Sequence, residues 1–158
     1  MSSYAYEEIA VAGVATWLAN ATHGIVAQLR AIEVERSLDE DTLPDPEAIE
    51  QAYLPTDARS PLVQVYEEAS ESTDHRAHLA AVDLTVAVTY NSDSDLVAAE
   101  LLLRRYLEAI RRCLAADSTC GGSVGQAVWT DANRSYPMTY DSVTRHARAI
   151  GVLVRVQD

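Results

Sequence analysis

The sequence predicts an α+β fold: a mainly antiparallel four-stranded sheet with helices packed on one face, in the order helix, helix, strand, strand, helix, strand, strand. Three observations predict it. Val82, Leu84, Val86, Val88 and Tyr90 alternate with Ala81, Asp83, Thr85, Ala87 and Thr89, the period of a half-buried strand. Past a polar corner at Asn91-Ser92-Asp93-Ser94-Asp95, the residues Leu96, Ala99, Leu103, Tyr106, Leu107, Ile110 and Leu114 recur at steps of three and four. They form one stripe of a helix whose back carries arginines and glutamates. Ile150, Val152, Val154 and Val156 then alternate again near the end of the chain.

The remaining elements follow in chain order. Tyr4 to about Asn20 reads as a first helix, with Ile9, Ala12, Val14 or Ala15, and Leu18 toward the core and Glu7 and Glu8 near its positive end. His23 to Ser37 reads as a second, on the spacing of Ile25, Val26, Leu29, Ile32 and Val34. Residues Leu38 to Pro61 carry prolines at 44, 46, 55 and 61 among many acids, which predicts an irregular connection with one helical turn near Glu47 to Tyr53. Leu43, Ile49, Tyr53 and Leu54 anchor it to the body, so the chain reads as one domain, 1–158, with an acidic insert at about 38–60. Ser60 to Glu68 is a strand that pairs as a hairpin with the long alternating one. Gly121-Gly122-Ser123 releases the third helix into a strand from Gly125 to Thr130; a polar connection then leads to the last strand, Val143 to Val156.

Charge narrows the function classes. The 158 residues carry a net charge of -12 with no lysine or phenylalanine, so all twelve basic residues are arginines and lysine-based catalysis is excluded. Thirteen acids against two arginines lie between Glu33 and Asp74. Such a balance disfavours binding to a phosphate backbone, which requires clustered cations. It suits either a solvated face or a passage along which DNA slides without adhering. Cys113 and Cys120 are too few for a disulfide framework and wrongly spaced for a metal site. No run reaches the roughly eighteen apolar residues of a membrane span, and no basic leader precedes the first helix.

No catalytic constellation emerges. Asn91, Asp93 and Asp95 open like a calcium loop, but Leu96 and Leu102 stand where glycine and glutamate are needed, so Ser92, Asp93 and Ser94 read as helix caps. The glycine-rich 121–125 follows a helix instead of a strand, the reverse of a phosphate loop. His23, His75, His78 and His146 are scattered, and no nucleophile elbow occurs. Arg104, Arg105, Arg111 and Arg112 are either helix-surface partners of Glu100 and Glu108 or a subunit contact. Trp129, Tyr136 and Tyr140 belong either to the core or to an interface.

Taken together, Trp17-Leu18 in the first helix, Thr42-Leu43-Pro44-Asp45-Pro46, the strand from His78 to Tyr90, the helix segment Ala98 to Leu107 and the closing Val152-Leu153-Val154-Arg155-Val156 resemble bacteriophage tail terminator proteins, also called tail completion or head-tail joining proteins. The resemblance covers nearly the whole chain. It implies a small sheet flanked by helices and a homo-oligomeric, hexameric ring at the head-proximal end of a phage tail tube, part of the virion neck and assembled in the host cytoplasm. Such a ring stops tube growth and offers a surface to the head connector, while DNA passes its lumen without specific binding. The same resemblance implies no enzyme activity, no cofactor or metal, and no membrane. The alternatives are another neck component and a non-catalytic intracellular binding module.

Within that reading, the acidic hairpin loop bearing Glu67, Glu68, Glu71, Asp74 and Arg76 is the expected projection toward a neighbouring ring or the tube, and Arg104 and Arg112 are expected subunit contacts. Asp83, Thr85 and Thr89, on the polar side of the long strand, are the expected lumen-facing residues.

Overall fold

The structure, a computed structural model, describes residues 3–40, 42–54, 57–67, 80–92, 95–140 and 143–156. Its elements are α1 (Ser3–Leu18), α2 (Ile25–Glu35), β1 (Ala48–Glu50), β2 (Leu62–Glu67), β3 (Ala80–Asn91), α3 (Leu96–Ala116), β4 (Gln126–Tyr140) and β5 (Val143–Val156). The strands form one five-stranded sheet, β1-β2-β3-β5-β4, in which β1 runs parallel to β2 and the other pairs are antiparallel. This corrects the expected four-stranded, mainly antiparallel sheet and the expected order: the chain runs ααβββαββ.

The difference comes from one segment, and a second lies in the sheet where the sequence predicts a loop. The first is β1, which lies inside the insert, where the sequence predicts irregular chain and a helical turn. Three residues are too few to show a period of two, and what holds them is tertiary: Glu47 N donates to Pro61 O at 2.7 Å, and Arg59 donates to Glu50 at 2.7 Å. The second is the polar stretch after Thr130, which continues β4 instead of leaving the sheet. Thr130 pairs with Gly151 and Arg134 with Ala149, so β4 inserts extra residues there as a bulge before pairing resumes to Tyr140. An edge strand is paired on one side only, so it tolerates both that polar run and Pro137.

One face of the sheet carries the core. Val63, Val65, Val82, Leu84, Val86, Val88, Ile150, Val152, Val154 and Val156 are all buried there. They pack against α1 and α3, while α2 lies mainly on α3. The predicted α3 stripe is buried from Ala99 to Leu114, but Leu96 is 61% exposed, and on α2 Val26 and Val34 also face solvent. Each of these three lies at or beside a helix end, beyond the reach of the opposing layer. The α3 cap is Asp95, whose carboxylate accepts from Ala98 N at 3.0 Å; Asp93 and Ser94 lie outside the described residues. Trp17 Nε1 donates to Cys113 O at 2.7 Å and joins α1 to α3. Gly13 permits a further close approach, since a Cβ there would stand 2.9 Å from Val124 Cγ1.

The acidic insert is stapled down by buried polar groups. Glu33, 2% exposed, accepts from Leu43 N at 2.8 Å and lies 3.2 Å from Arg30, which donates to Leu43 O and to Asp45. The Tyr106 hydroxyl donates to Pro44 O. Further along, buried Arg145 donates to Asn91 at 3.0 Å and to Asp57 O, which ties the end of the insert to β3 and β5. Arg59 donates to Asp57 at 3.0 Å and holds that carboxyl well below its ordinary 3.8, at about 2. Because the folded value is the lower one, the stabilisation is present above pH 3.8 and is lost as pH falls toward about 2. Asp57→Asn is therefore expected to lower the urea midpoint at neutral pH and to approach the parent protein as pH falls through about 2. A constant gap between the two across that range would show that Asp57 contributes nothing through its charge.

Candidate functional site

The surfaces offered for contact follow from which charged groups the fold consumes. Arg112 is consumed: it donates to Glu35 at 2.9 and 2.6 Å and to Glu108 at 3.3 Å, while Arg36 reaches Glu108 at 2.6 Å. These four residues lock α2 to α3, and the Arg112 pairing holds the Glu35 carboxyl below its ordinary value. Arg148 on β5 donates to Glu100 at 2.7 Å. In contrast, Arg104, Arg105, Arg111 and Arg155 form no ion pair among the described residues, and Arg104 is exposed. Of the two expected arginine contacts, Arg104 is exposed and forms no ion pair among the described residues, whereas Arg112 is paired.

The outward side of α3 is also apolar. Leu96, Val97 and Leu101 are 61%, 78% and 42% exposed, within the first two turns, and Val97, Leu101 and Arg104 follow one another at helical spacing along a single stripe. Leu101 and Arg105 also line a cleft of about 360 Å³ with Thr42, Leu43 and Tyr90. Val97 and Leu101 lie off the buried stripe by helical periodicity, so this patch was readable in the sequence, although a stripe search reports only the inward side.

α1 borders a second cleft, of about 410 Å³, lined by Glu7, Glu8, Val11, Ala12 and Gln51. Glu67, at the end of β2, lies beside Glu7. Burial pushes its carboxyl above the ordinary value, and hydrogen bonding and repulsion from Glu7 add to the effect. No periodicity signals this acidic pair, because it joins residues sixty positions apart. The rest of the expected acidic projection, Glu68, Glu71, Asp74 and Arg76, lies outside the described residues.

Of the three expected lumen positions, Asp83 is exposed, whereas Thr85 and Thr89 are 8% and 7% exposed and belong to the subunit's packing. Thr89 is hemmed in by its register partners Leu62 and Ala147. Tyr136 and Tyr140 stand on the outer half of β4, opposite Ala147 and Val143, and Trp129 packs half-buried against the core.

No group of three or more histidines, cysteines or acids is placed to hold a metal ion among the described residues. His146 is buried on β5, with Nε2 unpartnered among the described residues; His23 stacks on Trp17 at 5.5 Å; His75 and His78 lie outside the described residues. Cys113 and Cys120 are free and buried, and burial pushes both thiols up to about 12. Gly121 and Gly122 adopt φ of 72° and 88°, a glycine turn closing α3, with Asp117 accepting from Gly121 N. Among the described residues, no helix is long and apolar enough to cross a membrane. No protein-family model matches this chain, and no curated protein matches it.

Proposed function

We propose that this chain is the architectural subunit of a ring, most specifically a tail terminator that caps a phage tail tube at its head-proximal end and presents a surface to the head connector. The family is read from the resemblance of the sequence segments at Trp17-Leu18, Thr42 to Pro46, His78 to Tyr90, Ala98 to Leu107 and Val152 to Val156. The observation that carries self-assembly is the edge strand β4: fifteen residues long, it lies at the end of the sheet, and among the described residues no further strand pairs with its outer side. A second short edge, β1, closes the other end of the sheet. Two unlike ends on one subunit suit a head-to-tail contact, which closes into a ring when the rotation between neighbours is a simple fraction of a turn. The uneven acidic charge suits a structure that DNA traverses without being held.

The test has two steps. Light scattering across concentration, with negative-stain imaging, is expected to show rings of about six subunits, formed alone or on tube protein. Added to polymerising tube protein, the chain is expected to shorten the tubes and occupy one end. Rings that bind connector protein but leave tube length unchanged would move the reading to another neck component, and a monomer that joins neither would overturn it.

A further inference from the structure

We infer that the outward stripe of α3 docks into the α1 cleft of a second copy of this chain, so that the contact is head to tail. The inference rests on the ring reading and names the surfaces that would build it. On one side stand Leu96, Val97 and Leu101, exposed together, with Arg104 one turn beyond. On the other, Val11 and Ala12 line a cleft edged by Glu7 and Glu8. Apolar centre would meet apolar floor, and a guanidinium that forms no ion pair among the described residues would meet carboxylates beside which the described lining residues place no cation. The two surfaces are borne by different helices: α1 packs on β1, β2, β3 and β5, and α3 on β3, β5 and β4, so the helices share the middle of the sheet and diverge toward β1 and β4. One subunit can therefore use both at once.

Charge also decides against a two-fold contact. Pairing α3 with α3 across a dyad would bring Arg104 and Arg105 against their own copies, and pairing cleft with cleft would oppose Glu7 and Glu8. Like charges facing one another disfavour both arrangements. An arriving arginine would in contrast relieve the repulsion between Glu7 and Glu67. Raising the salt concentration should weaken the contact, since its charged rim is solvent-exposed.

The experiment uses the full chain and two variants with changes at surface positions, Val97→Asp/Leu101→Asp and Glu8→Arg, with thermal melts to show that each still folds. Assembly is read as mass against concentration by light scattering. Each variant alone is expected to assemble at least about tenfold more weakly than the parent chain. Mixed in equal amounts, they are expected to form a discrete heterodimer, because each keeps one intact surface and the good surfaces pair. Arg104→Glu combined with Glu8→Arg in one chain, which exchanges the charges across the contact, is expected to recover assembly lost in either single variant. Rings that both variants form as readily as the parent would overturn the docking surfaces while leaving the ring reading in place. A two-fold dimer abolished by Val97→Asp/Leu101→Asp and untouched by Glu8→Arg would overturn the head-to-tail arrangement. A parent chain that stays monomeric at every concentration would overturn the inference by itself; tube length then decides the ring reading separately.

Discussion

Val86→Asp is expected to abolish the folded subunit. Val86 has no exposed surface and sits in the middle of β3, between Val65 of β2 and Ile150 of β5, beneath the helical layer. Removing a fully buried valine forfeits about 2 kcal/mol of apolar burial. The larger loss comes from the carboxylate, which finds no cation among the neighbouring valines and isoleucine; a buried, uncompensated charge costs roughly a further 3–5 kcal/mol. Together these come to about 5–7 kcal/mol, equal to the whole stability of a domain at the lower end of the usual range of about 5–15 kcal/mol. Far-UV circular dichroism with a thermal melt should therefore show no cooperative transition. Val86→Ala is the control: it leaves a small cavity, retains the fold and lowers the melting temperature. Leu103→Asp, at an equally buried place on α3, should behave like Val86→Asp. A cooperative melt for either aspartate variant near the parent temperature would mean that the β3 and α3 faces are not packed together as described.

Glu33→Ala is expected to give the next largest loss, about 3 kcal/mol. The residue looks like one more acid in an acidic stretch, but its side chain is buried and satisfies two groups at once, Leu43 N at 2.8 Å and Arg30 at 3.2 Å. Alanine leaves the amide unbonded and deprives the half-buried guanidinium of one carboxylate, so most of the loss is the penalty of the abandoned partners. With roughly 2–4 °C per kcal/mol for a domain of this size, the melt should fall by about 6–12 °C. Glu33→Gln keeps an acceptor for Leu43 N and should lose less. Tyr106→Phe removes one hydrogen bond to Pro44 O and should cost about 1 kcal/mol. Proteolysis gives a second readout: Glu33→Ala should expose the insert to cleavage around residues 38–47, and Glu33→Gln should not. If Glu33→Ala melted with the parent, the insert would be held by its apolar residues alone.

How far such features could be read in advance depends on how many residues express them. The hairpin of β2 with β3, the long β3, the buried stripe of α3 and the closing β5 each rest on several residues that repeat one period, and each forms where the sequence predicts it. The three residues of β1 express no period, and the second half of β4 is a strand by virtue of its pairing with β5, against its own polar composition. Thr85 and Thr89 are polar by type yet buried, because the face opposite the core is partly covered and their neighbours on that face are closely placed. The candidate site divides in the same way. Arg104 is exposed as its helical position predicts; Arg112, four residues before the end of α3, is taken up by Glu35 on another helix, which no local spacing announces.

The sequence by itself determined the α+β class of this protein, the position and inward face of its principal helix and strands, and a large, unevenly placed acidic charge. These properties are local or additive, and each residue contributes to them independently of where the chain goes next. Only the tertiary structure decided which strands lie at the sheet edges, which arginines form ion pairs among the described residues, and that an apolar, basic stripe on α3 and an acidic cleft on α1 are presented by two helices packed on one sheet. Those properties are relations between residues distant in sequence, and they come into being only when the chain has closed on itself.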